Sequence, residues 1–117
     1  MVQHLSPHYD SMLAELLGRA TPMPVVEATS GRAVEPNCVY VIPPNYDLEI
    51  SHGVLKLNQR STGIGQHMPV DQFLISLAAD SKEKAIGIIL SGSASDGTLG
   101  LKAVKAAGGI KIGRAHV

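Results

Sequence analysis

The segment that most constrains the fold is AIGIIL, residues 85–90. A continuous apolar run of this length reads as a parallel strand covered on both faces, because a strand with one wet face alternates apolar and polar residues. The residues after it complete a unit. Residues 91–97 (SGSASDG) are small and hydroxyl-rich and read as a loop, residues 98–107 read as a helix, and Gly108-Gly109 reads as its C-terminal stop. Ile110-Lys111 then opens another strand. Strand, helix and strand in that order form the repeating unit of an α/β parallel sheet.

Upstream, Met1-Val2-Gln3 reads as the end of a buried strand and Ser6-Pro7 as a turn. Asp10 is placed to cap a helix over residues 11–20, where Met12, Leu13, Leu16 and Leu17 share one face, and Thr21-Pro22 stops it. Val25-Val26 and residues 38–42 read as strands. Residues 48–51 and 54–58 flank His52-Gly53, a two-residue connection typical of a hairpin. Residues 60–69 are irregular, and residues 70–79 read as a helix with Phe73, Leu74 and Leu77 on one face. The pattern as a whole predicts an α/β parallel sheet carrying an antiparallel insertion.

Composition narrows the function. The chain has 117 residues, one domain's worth, with 10 basic and 10 acidic side chains. That balance argues against a nucleic-acid partner, which calls for a basic excess. No apolar run approaches the roughly 20 residues of a membrane-spanning helix, and MVQHLSPHYD has no signal-peptide pattern, so a cytoplasmic protein without membrane insertion is expected. Cys38 is the single cysteine; it allows no internal disulfide or cysteine-based zinc cage and reads as a small buried hydrophobe. His4 and His8 are four apart, but Pro7 lies between them and no acidic partner has metalloprotease spacing. His52, His67 and His116 read as solvated loop residues. No metal and no cofactor is expected.

In an open parallel sheet, reactive groups gather beyond the carboxyl ends of the strands. His4 follows the first strand remnant, and Asp96 lies in the loop after AIGIIL. Brought together, such a pair is the base and orienter of a nucleophilic site, the carboxylate fixing the imidazole tautomer. The residues equally allow a second reading, in which His4 caps a turn and Asp96 caps the helix that follows it. Asp71 is open in the same way, as a helix cap or as a carboxylate near a site. The loop at residues 91–98 can cradle an anion or stabilise an oxyanion with its N–H groups, but it lacks the lysine of a P-loop and the glycine pattern of a dinucleotide site.

Four stretches carry a resemblance: Val2-Gln3-His4, residues 34–44 (VEPNCVYVIPP), residues 69–78 (PVDQFLISLA) and residues 89–101 (ILSGSASDGTLGL). In this order, from Met1 to about Lys111, they resemble the catalytic domain of the chemotaxis protein-glutamate methylesterases (CheB type). The wording around Pro43-Pro44-Asn45 and residues 91–101 is closest to members fused to a chemotaxis methyltransferase and sensory domains. The resemblance implies a doubly wound α/β domain and a Ser-His-Asp triad that hydrolyses γ-glutamyl methyl esters on the cytoplasmic helices of chemoreceptors, with glutamine deamidation as a related activity. His4 matches the general base, Asp96 the orienting carboxylate, and the backbone N–H of Ser93 part of the oxyanion hole.

The chain also departs from the family pattern. The family nucleophile sits in a Gly- and Ser-rich turn ahead of the VQH strand, so the resemblance puts the serine upstream of Met1. Residues 1–111 then form a partial catalytic domain, incomplete at both ends, that is inactive and aggregation-prone by itself. Residues 112–117 (IGRAHV) break from the family and read as a non-native tail. Ala94 stands where members often have Gly. A reading from a different class is a non-catalytic interaction or regulatory module of a chemosensory protein, and a third is a small-anion- or nucleotide-binding α/β domain that uses residues 91–98.

Overall fold

The computed structural model describes residue 2 and residues 12–60, 68–90 and 96–113. Within these, helix α1 (Leu13–Ala20) leads to strands β1 (Val25–Glu27) and β2 (Val39–Val41), then to β3 (Tyr46–Ser51) and β4 (Val54–Gln59). Helix α2 (Pro69–Ser81) and a single 3-10 turn (Lys82–Lys84) precede β5 (Ile86–Ile88), helix α3 (Thr98–Ala106) and β6 (Ile110–Ile112). β1 and β2 pair in parallel, as do β5 and β6, and β3 pairs antiparallel with β4. The architecture is the expected α/β one, with parallel pairs and an antiparallel hairpin between them.

The hairpin turns where it was read to turn. Ser51 faces Val54, and both connecting residues take left-handed backbone, His52 at φ 53 and Gly53 at φ 72. Positive φ at both central positions matches the right-handed twist of the flanking strands. The hairpin is held against the preceding loop by Gly31 N–H to Leu55 O, Leu55 N–H to Arg32 O and Val34 N–H to Gly53 O.

α2 organises the interior because it is apolar on two sides. Phe73 and Leu77 pack against a cluster of Ala28, Tyr40, Ile42, Leu48, Ile50 and Leu55. Leu74 and Ala78 belong to a second cluster with Ala85, Leu101 and Val104, which joins α2, α3 and the start of β5. α2 is also tied to the hairpin: Ile50 N–H donates to Ser76 Oγ at 3.1 Å, and Gln72 Nε2 donates to Glu49 Oε1 at 3.0 Å.

Two expectations need correction. The AIGIIL run predicts a strand covered on both faces, but the described residues cover only one. Gly87 is buried against Leu101, Leu74 and Val104, whereas Ile86 and Ile88 are more than half exposed, as are Ile110 and Ile112 beside them. The pleat explains this: residues 86 and 88 point to the face opposite Gly87, away from Leu74, Leu101 and Val104. The helix expected over residues 11–20 begins at Leu13 with Met12 as its N-cap residue, and the proposed cap Asp10 lies outside the described residues.

Among the described residues no helix is long and apolar enough to cross a membrane, and no group of three or more His, Cys, Asp or Glu side chains could hold a metal ion.

Candidate active site

The N-terminal ends of α2 and α3 meet beyond the carboxyl end of β5. Each helix leaves N–H groups at its first turn that need acceptors. Neither N-cap residue provides a side-chain acceptor: Met68 precedes α2 and Gly97, at φ 110, precedes α3. The acceptors come instead from the opposite helix entrance.

Asp96, immediately before the α3 entrance, receives Val70 N–H on Oδ2 at 3.1 Å and Asp71 N–H on Oδ1 at 2.9 Å. Asp71, in the first turn of α2, receives Gly97 N–H at 2.9 Å and Gly100 N–H at 2.7 Å, both on Oδ1. This is the logic of a capping box worked between two helices rather than within one. Both carboxylates are buried, Asp71 at 4% and Asp96 at 8% exposure. Burial of a charge is tolerated here because charge-assisted N–H bonds and the positive ends of two helices offset the lost hydration.

The Asp96 carboxylate serves α2 by accepting the Val70 and Asp71 N–H groups. Asp71 is both things at once, a helix cap for α3 and a carboxylate in contact with Asp96. The lateral approach that permits this depends on Gly100, whose added Cβ would lie 2.6 Å from Leu74 Cβ and 3.2 Å from Asp71 Cα.

Chemically, Asp96 is held in one orientation at a strand's carboxyl end, where α/β sheets place their reactive groups. A carboxylate offers about four acceptor sites, so its bonds to α2 are compatible with receiving an imidazole N–H as well. His4 and the Ser93 N–H, the other two residues singled out from the sequence, lie outside the described residues, as do all of residues 91–95 and the serines Ser6 and Ser11.

The model of the CheB methylesterase family matches residues 1–116. The chain belongs to that family. The crystal structure of the Thermotoga maritima CheB methylesterase catalytic domain superposes with a TM-score of 0.79 and 33% identity, over 94% of this chain and 60% of that one. The protein-glutamate methylesterase/protein-glutamine glutaminase 1 of Carboxydothermus hydrogenoformans is 31% identical over 118 residues, 96% of this chain and 35% of that protein. An uncharacterized 104.1 kDa protein of Rhodobacter capsulatus is 37% identical over 100 residues, 86% of this chain and 10% of that protein. The chain thus spans about a third of the length of the curated methylesterases it matches.

A second grouping in this CheB-family chain has the residue types of a triad but not its geometry. A groove of about 710 Å³ between the hairpin and the far half of α2 is lined by Ser51, His52 and Asp80 among others. Ser51 Oγ lies 3.1 Å from His52 Nδ1, but the Asp80 carboxylate accepts the backbone N–H groups of His52 and Gly53, not the imidazole. Asp80 therefore ties the hairpin turn to α2 and orients no base. It sits nine residues beyond Asp71, about 13 Å along the helix, so Asp80 is remote from the Asp96 carboxylate.

Proposed function

We propose that the chain contributes the base and the carboxylate of a Ser-His-Asp hydrolase acting on γ-glutamyl methyl esters of chemoreceptor cytoplasmic helices, with glutamine deamidation as a second activity. The observation that carries the reading is Asp96, anchored on the α2 N-terminus beyond the carboxyl end of β5 in a member of the CheB methylesterase family. The substrate class follows the names of the relatives, protein-glutamate methylesterase/protein-glutamine glutaminase.

The nucleophilic serine lies upstream of Met1 in the full-length protein. It attacks the ester carbonyl as His4 takes its proton. Asp96 accepts the other imidazole N–H and stabilises the imidazolium, and the Ser93 N–H helps hold the oxyanion. His4 then protonates the departing methoxide, releasing methanol, and water hydrolyses the acyl-enzyme through the same base. No metal or cofactor takes part.

Residues 1–111 are a partial catalytic domain, and the chain by itself is inactive for want of the serine. The exposed apolar face of Ile86, Ile88, Ile110 and Ile112 supports a domain that continues beyond this chain. The 104.1 kDa Rhodobacter relative, of which the chain spans 10%, supports a place in a larger protein; its fusion to methyltransferase and sensory domains in the cytoplasm rests on the resemblance around Pro43-Pro44-Asn45 and residues 91–101.

The test is methanol release from methylated receptors by the full-length protein. Native protein releases methanol, His4→Ala abolishes release, and Asp96→Asn lowers kcat by about 10⁴-fold. Release unaffected by both substitutions would overturn the triad. No release from the native protein would leave the non-catalytic interaction module.

A further inference from the structure

Asp71 has no place in the triad, yet it is more deeply buried than Asp96, at 4% against 8% exposure. A buried carboxylate outside the chemistry is costly unless it holds something in place. Its Oδ1 takes two N–H groups, from Gly97 and Gly100, while Oδ2 is buried and has no partner among the described residues. Gly97 is covalently next to Asp96, so the bond from Gly97 N–H fixes the peptide that carries the Asp96 side chain. In return Asp96 receives the N–H of Asp71 itself. The two residues thus form a closed ring of hydrogen bonds that joins the entrances of α2 and α3.

We propose that Asp71 is a positioning residue for Asp96, acting as a hydrogen-bond acceptor rather than as a charge. Its Oδ1 sets where the α3 entrance begins, and that sets the direction in which the Asp96 carboxylate is presented. Among the described residues one oxygen does all the bonding, so asparagine, which keeps one carbonyl oxygen, retains the function, whereas alanine removes it. At Asp96 the requirement is different, because the group that stabilises an imidazolium has to be charged. The kinetic consequence rests on the methylesterase reading; the positioning itself does not.

The experiment compares Asp71→Ala, Asp71→Asn and Asp96→Asn in the full-length protein, with two readouts. The first is amide hydrogen exchange at Val70, whose N–H bonds to Asp96 and not to Asp71. The second is kcat and KM for methyl ester hydrolysis. In Asp71→Ala, Val70 loses protection and kcat falls about 100-fold at unchanged KM, the signature of a displaced reacting group. Asp71→Asn keeps Val70 protected and recovers the greater part of kcat, while Asp96→Asn recovers none of it.

Val70 protection unchanged in Asp71→Ala overturns the proposal, as does Asp71→Asn losing as much kcat as Asp71→Ala. If Asp71→Ala does not fold, Asp71→Asn decides alone: retained Val70 protection supports the proposal and lost protection overturns it. A native protein that releases no methanol removes the methylesterase reading, and Val70 exchange still decides the role of Asp71.

Discussion

Replacing Gly100 by alanine tests the close approach of α2 and α3 on which the Asp96 site stands. The new Cβ would lie 2.6 Å from Leu74 Cβ, 2.9 Å from Leu74 Cδ1 and 3.2 Å from Asp71 Cα. Leu74 Cβ and Asp71 Cα move only with the backbone of α2, so a rotamer change cannot relieve the clash. Restoring ordinary contact requires the helices to part by about 0.8 Å. The Gly100 N–H bond to Asp71, 2.7 Å long, then leaves the normal range.

Overpacking costs about 1–3 kcal/mol and a weakened bond to a buried carboxylate adds about 1.5 kcal/mol or more. The gain in helix propensity from Gly to Ala returns about 1 kcal/mol. The net expectation is a loss of about 1.5–3.5 kcal/mol, read as a lower urea midpoint at unchanged slope. Gly18 is the internal control. It lies on exposed α1 with nothing within 4 Å of an added Cβ, so Gly18→Ala is expected to stabilise by up to about 1 kcal/mol. The same chemical change therefore has opposite signs at the two sites. Gly100→Ala as stable as the native protein would refute the helix approach described here.

Two further expectations concern the hairpin. Asp80→Ala removes the acceptor of the His52 and Gly53 N–H groups and should cost about 1–3 kcal/mol in urea denaturation, with kcat for methyl ester hydrolysis at its native value. His52→Asn places a residue that tolerates left-handed backbone at φ 53 and should stabilise by about 0.5 kcal/mol; a loss of stability would count against the turn geometry.

Local signals made much of this fold readable. The His52-Gly53 turn, the helix that Gly108-Gly109 stops and the parallel strands around it are each specified by residues a few positions apart. Long-range partners are where such reading fails. Asp96 directly precedes a helix, and local rules give it to that helix; the structure ties it to α2, 25 residues earlier, and brings the carboxylate of Asp71 to the α3 entrance. No local signal announces this arrangement, because it depends on two helix entrances meeting in space. The nearest hint is Gly100, a small residue in a helix's first turn that allows the approach. AIGIIL shows a similar limit: apolarity marks a strand able to be buried on both faces, while which face is covered depends on what lies beside it. Ile86 and Ile88 stand exposed next to a well-packed Gly87.

The most direct test of the central claim is covalent labelling of the full-length protein with a serine-directed fluorophosphonate, followed by mass spectrometry of the adduct. The account predicts one adduct on a serine upstream of Met1, formed at the native rate only when His4 and Asp96 are intact and greatly slowed in His4→Ala and Asp96→Asn. An adduct on a serine within residues 1–117, or labelling indifferent to both substitutions, would contradict it.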